Sequence, residues 1–343
     1  MIAATQEIRF VRIPGGRVAV GCVGEGPPLV LPPLWMSHLE EEWDLPEYRA
    51  FITGLAASHT VIRYDRLGVG LSDPGPAGGR ADVGLEAERL ALVLDALGLE
   101  RVPLLGISWG GCVAVGLAAR EPRRVSALVT SGTLVVGAKV APAELRTAVV
   151  ALVRSHWGVG SRLLADIWIP GTDAEVRDRF ARAQRASGSP DVAADSLAAV
   201  YGTDIGPLLA DVEAPTLVTH RRNDRATPFA AGHELAAGVL GARFVPLDGD
   251  IHLPWLGDTG QVLDVVLPFL RQHSEVGVAP VVLTEREREV LRLVAGGLGD
   301  TEIAKRLHLS PHTVHRHLAN IRTKLGQPSR AAAVAQAGRL GLI

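Results

Sequence analysis

Cysteine is scarce in this sequence, and segments long and apolar enough to cross a membrane are missing from it. Only two cysteines, Cys22 and Cys112, occur among 343 residues, which argues against a disulfide framework and against a metal site built on cysteine. The first ten residues contain no apolar segment of the kind that secretory signals carry. The uncharged stretch 125–138 is interrupted by serine and threonine and is too short to span a bilayer. We therefore expect a cytoplasmic protein that has no membrane partner and needs no cofactor.

Charge is distributed unevenly along the chain. The residues from 278 onward carry 10 Lys or Arg and 5 Asp or Glu, a net charge of +5, and no acidic residue follows Glu302. The preceding residues carry 25 basic and 32 acidic side chains, a net charge of −7. A length of 343 residues, 47% of them hydrophobic, favours two domains that each bury a core. The basic second domain is expected to bind a polyanion.

Short apolar runs alternate with helical segments over most of the first 273 residues. The runs 29–31, 60–64 and 125–130 are typical of buried strands, whereas 86–97 has helical spacing and ends at a glycine. This alternation predicts an α/β fold with a mostly parallel sheet that is covered on both faces. The alternation stops over about 134–212, where helical segments predict a cap over the active edge of the sheet. The predicted organisation is a domain at 1–273, a linker at 274–282 and a domain at 283–343.

The segment Gly106-Ile107-Ser108-Trp109-Gly110-Gly111 lies between an apolar strand-like run and an apolar helix-like run. Strand, Gly-x-Ser-x-Gly and helix is the order in which this motif forms a nucleophile elbow. Its glycines are explained by backbone that passes close to a sharp turn, and the following helix N-terminus places N–H groups and a positive dipole beside the serine. The alternative is an ordinary glycine-rich turn. We predict that Ser108 is a nucleophile.

With this motif, the first 273 residues resemble the α/β-hydrolase fold family. The resemblance implies the chain order nucleophile, acid and base, and it assigns these roles to Ser108, Asp224 and His252. Asp224 and His252 each follow an apolar, strand-like run, so all three residues are expected at the carboxyl ends of strands. In such a set, histidine accepts the serine proton, while the aspartate orients the imidazole and stabilises its charged form. Asp250 is too close to His252 along its loop to orient it.

The oxyanion hole and the ligand pocket are predicted from the same resemblance. The N–H of Trp109, which follows the nucleophile, is one expected donor, and the N–H of Trp35 is the other. Family members usually carry His-Gly where this chain carries Pro33-Leu34, which leaves the direction of the Trp35 N–H open. Six tryptophans lie in or near the expected site loops and cap, either as a pocket for an apolar or ring-bearing small molecule or as ordinary core residues. The predicted ligand pocket comprises Leu34, Trp35, His38, Trp109 and Trp255.

The segment from Leu283 onward has the spacing of four short helices. Thr284 and Glu287 are spaced as a capping box, and Ser310-Pro311 is an N-cap and first-turn pair for a third helix, 312–325. A helix, a tight turn and a basic helix form a helix-turn-helix layout, in which the third helix enters the major groove of DNA.

This segment resembles the LuxR-type helix-turn-helix family of bacterial regulators over nearly all its length. Matching stretches include Leu283-Thr284, Glu302-Ile303-Ala304 and Thr313-Val314. The resemblance implies double-stranded DNA as a partner and a homodimer as the binding form. Four histidines lie nearby, but only two share a helix face, so no metal is expected. The expected DNA-binding residues are Ser310, His312, Thr313, Val314, His315, Arg316, Asn320, Arg322 and Lys324.

The two resemblances leave three functions open. The first is a transcription regulator whose hydrolase-like domain senses a small ester, lactone or ring-bearing ligand and possesses at most slow hydrolytic activity. The second is an active serine esterase or lactonase with an appended DNA-binding module. The third is a receptor in which Ser108 only hydrogen-bonds the ligand. The complete set of Ser, Asp and His favours chemistry, whereas Pro33-Leu34 favours slow chemistry or none.

Overall fold

The structure is a computed structural model that describes residues 5–75, 81–273, 283–325, 327, 329–339 and 342. The chain forms two compact units, Met1–Gly277 and Val278–Ile343. Each unit has a hydrophobic core of its own. The predicted linker, 274–282, lies outside the described residues.

An eight-stranded sheet forms the centre of the first unit. Its strands are β1 (Glu7–Ile13), β2 (Gly16–Val23), β3 (Pro28–Leu31), β4 (Thr60–Tyr64), β5 (Val102–Ile107), β6 (Val125–Ser131), β7 (Thr216–Arg221) and β8 (Arg243–Leu247). They lie in the order β1-β2-β4-β3-β5-β6-β7-β8, and all neighbours from β4 to β8 pair in parallel, while β2 pairs antiparallel with β1 and β4. The predicted, mostly parallel α/β sheet is confirmed. The strand order reverses between β3 and β5, and such a switch point is where open α/β sheets bind ligands.

The central strands are buried along their whole length, because helices cover both faces of the sheet. Every residue of β3, β5, β6 and β7 is buried. Leu104 and Leu128 are fully buried, and the burial of a side chain of this size contributes about 1.5–3 kcal/mol. A rigid sheet of this kind fixes the positions of the loops that leave its carboxyl edge.

Helices pack against the sheet and against one another. Their bounds in the first unit are α1 (Leu39–Trp43), α2 (Pro46–Ala56), α3 (Val83–Ala96), α4 (Trp109–Arg120), α5 (Ala143–Ser155), α6 (Trp157–Trp168), α7 (Ala174–Ala186), α8 (Pro190–Gly202), α9 (Phe229–Gly238) and α10 (Thr259–His273). Helix α3 packs against α4, and α2 packs against α10, while α4 and α10 contact the central strands. Asp82 starts α3, because its carboxylate accepts the Leu85 N–H at 2.9 Å.

Four of these helices, α5 to α8, are inserted between β6 and β7 and form the cap. The insertion falls in the stretch 134–212, where the alternation of strands and helices stops. Helix α5 packs against α8, and α6 packs against α7. Ser189 and Pro190 fix the start of α8, since the serine hydroxyl accepts the Val192 N–H and proline suits the first helical position.

The described residues of the second unit form four helices around a small core. They are α11 (Glu285–Ala295), α12 (Asp300–Leu307), α13 (Pro311–Lys324) and α14 (Arg330–Arg339). Val290, Ile303 and Ile321 are fully buried between them. The structure contains the predicted capping box of Thr284 and Glu287, which fixes the start of α11.

Candidate functional site

Ser108 lies on a sharp turn between β5 and α4. Its φ of +53° and ψ of −128° are unusual for a residue with a side chain, and conformations of this kind cost about 1–3 kcal/mol. A Cβ atom at Gly106 would lie 2.3 Å from the Gly111 Cα, and one at Gly110 would lie 2.6 Å from the Pro32 carbonyl oxygen. The glycines of the motif are therefore required by close backbone approach, as the sequence predicts for an elbow.

Asp224 and His252 form a buried pair at the same edge of the sheet. Asp224 follows β7, His252 follows β8, and the Asp224 Oδ2 lies 2.7 Å from the His252 Nδ1. The other carboxylate oxygen accepts the N–H groups of Ala226 at 2.8 Å and Thr227 at 3.1 Å. Burial alone would raise the pKa of Asp224, but the His252 charge and the hydrogen bonds of the carboxylate outweigh it and lower the pKa. The carboxylate is thus held in its charged form, with one oxygen directed at the imidazole.

A second histidine, His220, contacts the same carboxylate, and the sequence analysis missed it. Its Nε2 lies 3.5 Å from the Asp224 Oδ2 and 3.0 Å from the Thr227 carbonyl oxygen. Because a carbonyl oxygen only accepts, the His220 Nε2 carries a proton and donates it there. His220 is the fifth residue of β7, and no motif in the sequence marks it for this role.

A cavity of about 420 Å³, here called the main cavity, opens beside Ser108 and His252. Most of its lining residues are aliphatic, and they come from the cap helices and from the segment that precedes α5. Within residues 5–75 and 81–273, no hydrogen bond joins the Ser108 hydroxyl to the imidazole, although both side chains face this cavity. Catalytic hydrogen bonds often shorten only when a ligand is bound. The lining residues are Ser108, Leu134, Val140, Ala141, Pro142, Leu145, Val149, Leu164, Asp166, Ile167, Trp168, Leu197, Val200, Tyr201, Arg225, Ala226, Thr227 and His252.

The five residues predicted for the ligand pocket do not line the main cavity. Trp109 is buried and donates its indole N–H to the Thr203 hydroxyl at 3.0 Å. His38 caps α1, where its Nδ1 accepts the Glu41 N–H at 3.4 Å. The structure differs here from the prediction because the cap helices, whose packing the sequence does not reveal, supply the walls.

The other three predicted pocket residues line a smaller cavity of about 20 Å³, here called the side chamber. Its walls include several aromatic rings, and Trp168 lines both the side chamber and the main cavity. The Trp35 and Trp168 rings meet edge to face with their centres 5.4 Å apart. The lining residues are Leu34, Trp35, Met36, Glu42, Leu45, Trp168, Phe180, Ala183, Gln184, Ser187 and Trp255.

The loop after β3 lies against the elbow. The carbonyl oxygens of Pro32 and Pro33 are the atoms that a Cβ at Gly110 would meet. Trp109 is the first residue of α4, so its N–H has no acceptor within the helix. The buried Arg66 donates a hydrogen bond to the Trp35 carbonyl oxygen at 3.0 Å and another to the Ser196 hydroxyl of the cap. The oxyanion roles of the Trp109 and Trp35 N–H groups stay predictions.

In the second unit, the predicted DNA-binding residues separate into exposed, half-buried and buried positions. Ser310 caps α13 by accepting the Thr313 N–H at 3.0 Å, and Thr313 is half-buried. Val314 is fully buried in the core, so the structure corrects its place among the DNA contacts. Its position follows from the helical period that it shares with Leu318 and Ile321 on the core face of α13. Exposed on α13 are His312, His315, Arg316, Asn320, Arg322 and Lys324.

Two of the exposed residues on α13 have partners within the unit. The Lys324 Nζ lies 2.7 Å from the Glu287 Oε2, and the Glu287 side chain is only 4% exposed. Lys324 therefore ties α13 to the start of α11. The His315 Nδ1 lies 3.9 Å from the Asp300 Oδ2. His312, Arg316 and Asn320, spaced four residues apart, form the polar face of α13.

Neither a metal site nor a membrane span is found in the part of the chain that the structure describes. Across those residues, no group of three or more His, Cys, Asp and Glu side chains is arranged to hold a metal ion. None of the described helices has the length and apolar character needed to cross a bilayer.

Comparison with known families matches both units. The family model of the α/β hydrolase fold matches residues 31–249, which is more than half of the chain. The chain belongs to the α/β-hydrolase fold family. The model of the luxR family of bacterial regulatory proteins matches residues 281–337, so the second unit is a LuxR-type helix-turn-helix domain.

Individual relatives resemble parts of the chain of different lengths. A stretch of 195 residues is 34% identical to a 2-hydroxy-6-oxononadienedioate/2-hydroxy-6-oxononatrienedioate hydrolase of Pseudomonas putida, over 54% of this chain and 68% of that protein. A crystal structure of a hydrolase from Pseudomonas aeruginosa covers 77% of this chain and 98% of its own, with 29% identity and a TM-score of 0.66. A Mycobacterium tuberculosis protein named as an HTH-type transcriptional regulator is 34% identical over 132 residues, which are 37% of this chain but only 15% of that protein.

The α/β-hydrolase domain thus presents a serine, an aspartate–histidine pair and an apolar cavity at one edge of its sheet. The serine and the pair are predicted from the sequence, because the motif and the strand ends mark them. The cap residues that line the main cavity, such as Leu164 and Leu197, were not predicted, and neither was Gln184 in the side chamber. Helical spacing in the cap was the available signal, but spacing alone does not tell which helix face meets a cavity and which meets a neighbour.

Proposed function

We propose that this protein is a DNA-binding transcription regulator whose α/β-hydrolase domain binds a small acyl ligand beside Ser108, and that occupancy of the main cavity sets the affinity for DNA. The observation that carries the proposal is the main cavity itself, because it combines about 420 Å³ of space with Ser108 and His252 on one wall. A LuxR-type domain on the same chain supplies the DNA-binding output.

The walls of the main cavity favour an ester or a lactone with an aliphatic or ring-bearing body. Leu164 and Leu197 are buried in the cap and present hydrocarbon to the cavity. Besides Ser108 and His252, the polar or charged residues that line it are Asp166, Tyr201, Arg225 and Thr227. The Arg225 guanidinium lies 3.8 Å from the Asp250 carboxylate. Apolar walls with a few polar groups are typical of sites for small organic molecules.

We assign the chemistry of the site to Ser108, His252 and Asp224. The His252 Nδ1 is committed to Asp224, so its Nε2 is the nitrogen available to accept the Ser108 proton as the oxygen attacks an acyl carbon. The negative charge on the acyl oxygen would be stabilised by the N–H groups of Trp109 and Trp35. The leaving alcohol takes the proton from His252, and water then releases the acyl group from the serine by the same proton path.

Occupancy rather than turnover is the proposed signal. The loop after β3 carries Pro33-Leu34 before the proposed second oxyanion donor, and loss of one such donor typically lowers a rate by about 10²–10³-fold. A site that binds an acyl ligand and stabilises its transition state poorly keeps the ligand longer. A difference of about 10²-fold in ligand affinity between two states of the protein, near 3 kcal/mol, shifts a regulatory equilibrium usefully. We propose that the DNA-bound form is a homodimer on a two-fold-related site.

The test measures DNA affinity with and without a probe ester. A duplex is selected from a random pool with the full chain, and its affinity is compared in the presence and absence of saturating hexyl butyrate. Ser108→Ala keeps the response, because the cavity still fills, whereas Val200→Trp, which fills the main cavity from α8, loses it. Val159→Trp, at an exposed position on α6, is the matched control and keeps it. If Ser108→Ala binds the ester but has lost the response, turnover is the signal and the proposal is wrong.

The second candidate function is an active serine esterase or lactonase that carries a DNA-binding module. The 2.7 Å contact between Asp224 and His252 favours it, since a site used only for binding does not require an oriented base. This function would be established by two results together. The wild-type chain, but not Ser108→Ala, steadily releases hexanol from hexyl butyrate, and the ester does not change the affinity for DNA.

A further inference from the structure

The side chamber contains a buried polar side chain that the fold leaves unsatisfied. Gln184, on α7, is 5% exposed, and neither its Oε1 nor its Nε2 has a hydrogen-bond partner among the described residues. A primary amide offers two donors and two acceptor sites, and burying it unpaired is costly. Ser187 faces the same chamber, but its hydroxyl donates to the Ala183 carbonyl oxygen at 2.8 Å. Gln184 is therefore the polar group in this chamber that is prepared for a partner from outside the fold.

The charge of the side chamber selects a neutral partner. Among the residues that the structure describes, no Lys, Arg or His lines it, and the one carboxyl group there, that of Glu42, already meets the Arg63 guanidinium at 3.5 Å. Burial raises the pKa of Glu42 to about 8. An anionic group would find no counter-charge on the chamber walls, whereas a hydroxyl or a carbonyl can pair with the Gln184 amide. A volume of about 20 Å³ accommodates a group of roughly the size of one water molecule.

The side chamber borders the site of the proposed chemistry. Leu34 and Trp35, in the loop that lies against the elbow, form part of its wall. Trp168 lines both the side chamber and the main cavity and has its ring centre 6.2 Å from that of His252. An acyl carbon at Ser108 carries two substituents that must be placed on different sides. The main cavity has space for a large apolar substituent, and the side chamber has space for a compact one.

We propose that the side chamber is a second compartment of the ligand site. It takes a compact, neutral hydrogen-bonding group of the ligand, either a hydroxyl or a carbonyl. Gln184 is the residue that selects this group. The inference rests on the proposed function in one respect, namely that the large part of the ligand lies in the main cavity. It distinguishes this protein from the related hydrolases named for dienedioates, because a carboxylate end is unsuited to a chamber without a cation.

The test uses two esters of nearly equal shape, hexyl glycolate and hexyl propionate, which differ by a hydroxyl in place of a methyl group on the compact acyl side. Binding is measured by calorimetry on the full chain carrying Ser108→Ala, so turnover does not contribute. We expect hexyl glycolate to bind about tenfold more tightly, because its hydroxyl pairs with a buried amide that the propionate leaves unsatisfied.

Two substitutions in the same background identify the group responsible. Gln184→Met keeps the approximate size of the side chain and removes its hydrogen-bonding groups, so the preference for glycolate disappears or reverses. Ser187→Ala removes a hydroxyl that is already paired within α7, and the preference remains. The inference is overturned if the two esters bind with equal affinity or if the preference survives Gln184→Met. It is also overturned if neither ester binds.

These outcomes are distinguishable from a failure of the proposed function. If the glycolate preference depends on Gln184 but neither ester changes the affinity for DNA, the compartment stands and the regulatory proposal fails. If both esters change the affinity for DNA equally and bind equally well, regulation stands and the role of Gln184 is refuted.

Discussion

Asp224→Asn is the substitution that examines the proposed chemistry most directly. The asparagine Oδ1 can still accept the N–H groups of Ala226 and Thr227, which now bond the carboxylate at 2.8 and 3.1 Å. Its amide nitrogen then faces the His252 Nδ1, where an oxygen accepts at 2.7 Å in the native site. Two donors cannot share that contact, so the imidazole places its proton on Nε2 and presents Nδ1 as the acceptor.

An imidazole in this tautomer cannot accept the Ser108 proton. In enzymes with a Ser-His-Asp triad an exchange of this kind lowers the rate by about 10⁴-fold, which corresponds to about 5.5 kcal/mol in the barrier. We expect the rate at which a fluorophosphonate labels Ser108 to fall by about 10³–10⁴-fold in Asp224→Asn. The fold is expected to remain intact, because the side chain keeps its shape and its hydrogen bonds with the Ala226 and Thr227 N–H groups.

Asp250→Asn is the matched control. It carries the same chemical change two residues from His252, but the Asp250 side chain is 42% exposed and its contact with Arg225 is 3.8 Å long. Exposed pairs of this kind contribute about 0–1 kcal/mol, so labelling should stay within about twofold of the wild-type rate. Unchanged labelling in Asp224→Asn, or a greater loss in Asp250→Asn, would refute the assignment of the acid. Absence of labelling in the wild-type chain would favour a receptor in which Ser108 only binds.

Three further predictions concern the second unit, pH and the backbone. Arg316→Ala should weaken DNA binding and reduce the slope of log affinity against log salt concentration by about one, as DNA titrations at several salt concentrations would show. Lys324→Met leaves the buried Glu287 carboxylate without this partner, so it should lower the free energy of unfolding by about 1–2 kcal/mol, which urea unfolding measures. The folded state lowers the pKa of Asp224, so the charged carboxylate stabilises the fold fully above its unfolded pKa of about 3.9. This stabilisation is lost as the pH falls through the folded pKa. Below about pH 4, the free energy of unfolding should therefore decline more steeply in the wild-type chain than in Asp224→Asn. Gly110→Ala, whose Cβ would lie 2.6 Å from a carbonyl oxygen, should destabilise the first unit, while Gly158→Ala on the open face of α6 should stabilise it by about 0.5–1 kcal/mol in thermal unfolding.

Features that depend on local order along the chain were predictable from the sequence. The elbow follows from glycines that flank Ser108 between a strand and a helix, and the positions of Asp224 and His252 follow from the ends of parallel strands. The capping box of Thr284 and Glu287 is equally local. The burial of Val314 was also predictable, because Val314 and Leu318 lie on the same face of the helix. Helical spacing of apolar residues is here better evidence for burial than a position in the DNA-binding motif is for a DNA contact.

Features that depend on how helices pack against one another were not predictable. Trp35 lies where the sequence puts it, in the loop after β3, yet its ring packs against Trp157 and Trp168 of the cap instead of facing the main cavity. The spacing of α5 to α8 shows that each helix has an apolar face. Whether that face meets another helix or encloses space is decided by the lengths of the intervening loops and by side-chain volumes. Gln184 is a polar residue in a polar helix, and only the packing reveals that it is buried.

One hydrogen bond links the cap to the proposed base, and it gives the occupancy proposal a physical basis. The His252 backbone N–H donates to the Trp168 carbonyl oxygen at 2.8 Å, at the C-terminal end of α6. Trp168 also lines both the main cavity and the side chamber, so a ligand that fills either cavity contacts the residue that fixes the His252 loop. A ligand shifts an equilibrium only by its difference in affinity for two states. If the cap has two positions, the position of Trp168 differs between them. A ligand that spans both cavities contacts this residue from two sides. The affinity difference that regulation requires is therefore expected to depend on the same contacts that select the ligand.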